Sequence, residues 1–125
     1  LFEKTGFVHR VKFTERGIRS GVEFSVIEQL KNGADVAVIV GSDPLTSLPA
    51  SVSRRLKNIP VILIDPCTNL TSKVADIIIP CLVSGIEVGG TAIRLDGQTQ
   101  EISSLIENSG LSDEAIIRRI MEELG

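Results

Sequence analysis

The sequence predicts an α/β domain, a Rossmann-like open and mostly parallel sheet with helices on both faces, plus a short β-hairpin. Three observations predict it. Ile, Val and Leu supply 40 of the 125 residues, while Trp and Tyr are absent and Phe occurs 4 times. β-Branched aliphatics in that excess favour strands buried on both faces. Three short apolar runs, Asp35 to Val40, Pro60 to Ile64 and Asp76 to Ile79, each end in turn chemistry, and segments with helical spacing lie between them. Strands alternating with helices make a parallel sheet.

The elements follow in order. Residues 1–21 show no clean period and read as an irregular lead-in that includes His9, the sole histidine. Val22, Val26, Ile27 and Leu30 share one helical face, and Gly33 stands where a C-terminal cap belongs. The run Val36 to Val40 is the first parallel strand. Leu48, Val52 and Leu56 form the next helical stripe, with Pro49 suited to its first turn and Arg54, Arg55 and Lys57 turned outward. Val61 to Ile64 is the second strand. About a dozen residues then separate it from Ile77, near the lower limit for a parallel crossover, so one or two helical turns are expected around Ser72 to Ala75. Ile77 to Ile79 is the third strand. Asp96-Gly97 is a hairpin turn signal between Thr91–Arg94 and Gln98–Ile102. Ser112 caps a last helix with Asp113 and Glu114 in its first turn and an apolar face of Ile116, Ile117, Ile120, Met121 and Leu124.

Composition narrows the function. The length suits one domain, and no apolar stretch approaches the roughly 18–20 residues of a membrane span. Thirteen basic and 16 acidic residues give a net charge of -3, and aromatic platforms are few. Nucleic-acid binding is not expected. Cys67 and Cys81 make no disulfide framework, which points to a reducing cytoplasm. One histidine and two separated cysteines supply too few soft ligands for a metal site. The chain starts at Leu1 rather than Met, so residues 1–125 read as a single domain excised from a longer protein.

Chemistry belongs at the carboxyl ends of the strands, where open α/β sheets bind ligands. There the sequence places Gly41-Ser42-Asp43-Pro44 and Asp65-Pro66-Cys67-Thr68-Asn69-Leu70-Thr71. Gly41 lets backbone approach a ligand, while Ser42, Thr68 and Thr71 offer hydroxyls to phosphate or ribose. Asp65 can accept from ribose hydroxyls or from the N–H donors of guanine. The bland alternative is that both Asp-Pro pairs simply start turns. Glu87, just before Gly89-Gly90-Thr91, is either a site carboxylate or a solvated loop charge. A dinucleotide fingerprint, a Walker A loop and a Gly-x-Ser-x-Gly elbow are all absent.

The order of these motifs resembles the molybdopterin oxidoreductase family. Gly41-Ser42-Asp43-Pro44, Asp65-Pro66, Thr71, Ala75-Asp76, Ile79-Pro80 and then Gly85 to Gly97 carry the likeness. It is nearest to the branch formed by the B subunit of formylmethanofuran dehydrogenase, with Arg94 agreeing with that branch. The resemblance implies a C-terminal fragment that helps hold a molybdopterin guanine dinucleotide carrying tungsten or molybdenum. Asp65 matches the guanosine-holding position. Asn69 stands where the family usually has Thr, and Thr71 matches. Gly41, Ser42, Asp43, Pro44, Pro66, Thr68, Asn69, Thr71, Glu87, Gly90 and Thr91 complete the implied cofactor-binding set.

The same resemblance puts the catalytic Cys or selenocysteine, the active-site His and Arg, and any cluster cysteines before Leu1. The complete enzyme would reversibly reduce carbon dioxide to the formyl level on methanofuran, with the rest of the subunit and further subunits as partners. The fragment alone would be inactive and bind no cofactor tightly. Two other classes stay open: the central domain of a thiamine-diphosphate enzyme, and a non-catalytic binding or assembly module.

Overall fold

A computed structural model of the chain describes residues 10–94 and 96–125. His9 lies outside them. The expected irregular lead-in is corrected over its second half: β1 (Val11–Thr14) and β2 (Gly17–Ser20) form an antiparallel hairpin. Gly17 takes φ 114 in the turn, and the Thr14 hydroxyl donates to the Gly17 carbonyl at 2.8 Å. Two four-residue strands, broken by a turn and exposed almost throughout, leave no apolar period to read.

The helix α1 (Val26–Asn32) starts at Ser25, whose hydroxyl accepts from the Glu28 amide, and stops at Gly33 with φ 94. Only a left-handed residue ends a helix in this way at low cost. Val22 sits in a separate 3₁₀ turn, Val22–Phe24, so the expected stripe is shortened; Val22 and Val26 are exposed, and Ile27 and Leu30 carry the packing. The guanidinium of Arg55 donates to the Lys31 carbonyl at 2.9 Å, closing the far end of α1.

The parallel sheet is as the sequence predicts. β3 (Ala37–Val40), β4 (Val61–Asp65) and β5 (Ile77–Pro80) lie side by side in that order, both pairs parallel. Between β3 and β4 run the short helices α2 (Pro44–Ser47) and α3 (Ala50–Ser53), the latter continued by a 3₁₀ stretch, Arg54–Asn58. The β4–β5 crossover holds one 3₁₀ turn, Thr71–Lys73. The Asp76 side chain braces that crossover by accepting from the Val61 amide at 2.8 Å. β6 (Gly90–Ile93) and β7 (Thr99–Ile102) form the second hairpin around Asp96-Gly97. The helix α4 (Asp113–Leu124) is capped by the Ser112 hydroxyl, as expected, at 3.1 Å from the Ala115 amide.

The core lies on one face of the sheet. Ile39, Val61 and Leu63 meet Leu30 of α1 and Val52 and Leu56 beyond α2, and Val61 and Leu63 are wholly buried. The opposite face is uneven. Ile64, near the carboxyl end of β4, is fully buried, yet Val38 is 57% and Ile77 52% exposed. Burial of all three strands on both faces is therefore corrected. On the core side the cover reaches β3 and β4 but not β5, where Ile78 beside Leu63 is 47% exposed; Val38→Ala removes little burial, whereas Leu63→Ala would open a cavity.

Candidate functional site

Two groups of residues gather beyond the carboxyl ends of the strands. The first is built from the loops after β3 and β4. Gly41 leaves β3 at φ 55, and its amide still donates to the Ile64 carbonyl at 2.9 Å, so the loop departs from a fixed point. Among the described residues nothing lies within 4 Å of where a Cβ at Gly41 would stand. Gly41 and Ser42 are exposed.

Asp43 then opens α2, with Pro44 at the first helical position. Its carboxylate reaches to the second loop rather than outward. It accepts from the Leu70 amide at 3.2 Å, the Thr71 amide at 3.1 Å and the Thr71 hydroxyl at 2.5 Å. The Thr71 hydroxyl holds Asp43 below the usual carboxylate pKa, the two backbone amides add to this, and desolvation opposes it. Thr71 is fully buried, and its oxygen also accepts from the Leu45 amide at 3.3 Å. Asp43 and Thr71 thus form a latch between two loops.

Asp65, the last residue of β4, is half-buried and differently engaged. One carboxylate oxygen accepts from the Cys67 amide at 2.9 Å, the other from the Asn69 side-chain amide at 3.1 Å. A carboxylate has about four acceptor directions, so each oxygen keeps one for a ligand. Asn69 is locked in turn. Its side-chain carbonyl accepts from the Ser72 backbone amide at 3.1 Å, while the Asn69 backbone amide donates to the Ser72 hydroxyl at 2.9 Å. Ser72 is a positioning residue that the sequence reading passed over, although the spacing Asn-x-x-Ser is a local capping signal. Pro66 and Thr68 are exposed beside Asp65.

The second group surrounds a cleft of about 310 Å³ between the Gly85–Ala92 segment and the first turn of α4. Gly90 and Thr91 line it, with Ser112, Asp113 and Glu114 opposite. Gly89 is required there, since a Cβ would stand 2.5 Å from the Ile102 carbonyl oxygen. The Thr91 hydroxyl donates to Glu101 at 2.6 Å across the hairpin. Glu87 does not line the cleft. It accepts from the Val83 amide at 2.8 Å and from the Asn108 side chain at 2.6 Å, tying two loops together.

Cys81 follows β5 and is half-buried. Desolvation first, then the charges of Asp113 and Asp65, push its thiol pKa up. The Leu82 amide donates to the Leu111 carbonyl at 2.9 Å, which sets the start of α4 beside the end of β5. Asp43, Asp65, Asp113 and Glu114 stand among these two groups. An anionic ligand would be held there by backbone N–H groups and hydroxyls, not by cations. Among the described residues no three His, Cys, Asp or Glu side chains converge to hold a metal ion, and no helix is long and apolar enough to cross a membrane.

No family model matches the chain. Curated relatives do. The B subunit of tungsten-containing formylmethanofuran dehydrogenase 2 from Methanocaldococcus jannaschii is 32% identical over 92 residues, which is 72% of this chain and 21% of the relative. The protein of the same name from Methanococcus maripaludis is 29% identical over 124 residues, 96% of this chain and 29% of the relative. A chain in the crystal structure of the formyltransferase/hydrolase complex FhcABCD from Methylorubrum extorquens, in complex with methylofuran, superposes with a TM-score of 0.74. That match covers 98% of this chain and 35% of the other at 23% identity, so it shows the shared fold. The proteins matched are all several times longer than the stretch they share with it, and what the sequence is similar to, over nearly its whole length, is part of the B subunit of formylmethanofuran dehydrogenase.

Proposed function

We propose that this chain is a segment of the B-subunit polypeptide of a formylmethanofuran dehydrogenase and holds the guanosine end of a molybdopterin guanine dinucleotide. The observation that supports this best is Asp65, a half-buried carboxylate on a rigid strand end whose two protein donors leave acceptor capacity toward the open edge. Guanine offers two adjacent N–H donors, which a carboxylate accepts together; ribose hydroxyls are the alternative partners. The open space at Gly41 fits a close backbone approach by such a group. Ser42 and Thr68 offer hydroxyls to phosphate or sugar. Pro44 and Pro66 set the turns, Asn69 aims Asp65, and the Asp43–Thr71 latch keeps the two loops in register. Gly90 and Thr91 frame the adjacent cleft, and Glu87 holds its loop.

The bound cofactor, with tungsten or molybdenum, supplies the redox chemistry of the complete enzyme, reversible reduction of carbon dioxide to formylmethanofuran. This chain binds and orients, and by itself is inactive. Its partners are the remainder of its own subunit and the other subunits of a cytoplasmic complex. The relatives' name and the multi-subunit structure it resembles support that reading. The test is guanine nucleotide released by acid from the purified enzyme. Asp65→Ala should lower it about 10- to 100-fold per folded subunit, the loss of a charge-assisted pair worth roughly 1.5–3 kcal/mol. Unchanged content would leave Asp65 as a turn residue.

A further inference from the structure

The amino half of the sheet's second face carries an apolar surface that none of the described elements covers. Register places Val38, Ile62 and Ile77 in one row across β3, β4 and β5, and the exposed Val36 stands just before β3. Val36 and Ile77 are each 52% exposed and Val38 is 57%, while Ile62 between them is half-buried. The row contains no charged or polar side chain. Lone soluble domains rarely expose large contiguous apolar patches, and no charged side chain interrupts this row.

The strand sequences are written for cover. A parallel strand with one wet face alternates apolar and polar residues, whereas Val36-Ala37-Val38-Ile39-Val40 and Ile77-Ile78-Ile79 run unbroken, the pattern of strands covered on both sides. Ile64, on the same face two residues beyond Ile62, is already fully buried, so cover begins at the carboxyl half and stops. The curated relatives share only 21% and 29% of their length with this chain, which leaves ample polypeptide to supply the rest.

We infer that the row Val36, Val38, Ile62 and Ile77 is the seat of an apolar segment from the part of the same B-subunit polypeptide that lies outside this stretch. The inference rests on the reading of the chain as a segment of that polypeptide. It adds that this face, not the carboxyl edge, joins it to the remainder. An apolar helix or strand fits, since the row offers neither hydrogen-bonding side chains nor charge.

The experiment places the photo-cross-linker p-benzoylphenylalanine at position 38, and separately at position 77, in the natural polypeptide that carries this sequence. Two exposed positions guard against one of them disturbing the fold. The protein is purified from a mixture of isotopically light and heavy chains, irradiated and mapped by mass spectrometry. The expected result is a cross-link from both positions to a peptide outside residues 1–125, within one chain. Cross-links to a second copy, to another subunit or to residues 1–9, or no cross-link from either position, would overturn it. The intact mass separates the two ideas. A natural protein of 13.4 kDa would end the segment reading and this inference together. A long polypeptide with cross-links elsewhere would end this inference alone, and guanine release tests the site independently of both.

Discussion

Asp43 and Asp65 occupy the same place in two consecutive units: each stands just beyond or at the end of a parallel strand and precedes a proline. Their carboxylates do different work. Asp43 is turned inward and meets two backbone amides and a buried hydroxyl of the neighbouring loop. Among the described residues Asp65 bonds within its own loop, to Cys67 and Asn69, and is half-buried. One identical dipeptide therefore makes a latch in one loop and a receptive carboxylate in the next. The deciding factor is the partner across the gap, Thr71, which Asp43 reaches and Asp65 does not.

The sharpest way to break this comparison is a pair of substitutions in the full enzyme. Asp65→Ala is expected to cut retained guanine nucleotide by about 10- to 100-fold while leaving urea denaturation nearly unchanged. Thr71→Val acts on the other side. It deletes a buried hydroxyl that donates to a carboxylate, so it should lower unfolding free energy by about 1.5–3 kcal/mol. Its effect on nucleotide content, in the protein that remains folded, should be much smaller than that of Asp65→Ala.

Asn69→Ala lies between these two. It removes the side chain that holds one oxygen of Asp65, so nucleotide content should fall by about 2- to 5-fold, consistent with one hydrogen bond of roughly 0.5–1 kcal/mol. Asn69→Asp would put a second carboxylate beside Asp65 and is expected to be worse than Asn69→Ala. If alanine and aspartate variants retain nucleotide equally, Asn69 does not aim Asp65.

The smallest effect is one of acid. Asp43 has a folded pKa below its ordinary value of 3.8, so its contribution to stability is fully present above that value and is lost as pH falls through the lowered one. The Asp43→Asn variant should be less stable than the parent at pH 5 to 7, and the gap between the two melting temperatures should close as pH falls below 3.8 and through the lowered pKa. A gap that persists unchanged at low pH would mean the latch does not depend on the charge.

Much of the frame was legible because it is local. Apolar runs with a period that fits strands, Ser25, Gly33 and Ser112 at helix ends, and the Asp96-Gly97 turn all carry their instructions within a few residues. The first hairpin was not, since Val11–Thr14 and Gly17–Ser20 are too short and too exposed to show a pattern. The bare row at Val38 and Ile77 misled for the opposite reason, because strand composition records the cover a face is written for, whether or not this stretch supplies it.

The site was half legible. Asp43 and Asp65 look alike in sequence, and the partner that separates them lies 28 residues from Asp43. No local rule encodes that approach. It follows from the parallel pairing of β3 with β4, which brings the two loops side by side. The Asn69–Ser72 lock, by contrast, sits within a spacing of three.

The central claim is that Asp65 binds the cofactor and Asp43 binds the protein. It is tested most directly by measuring guanine nucleotide per folded subunit and melting temperature side by side in Asp65→Ala and Thr71→Val enzymes. The account predicts opposite patterns: low nucleotide with a near-parental melt for Asp65→Ala, and a lowered melt with largely retained nucleotide for Thr71→Val. Full nucleotide content in Asp65→Ala, or a lowered melt shared by both variants with nucleotide kept in each, would contradict it.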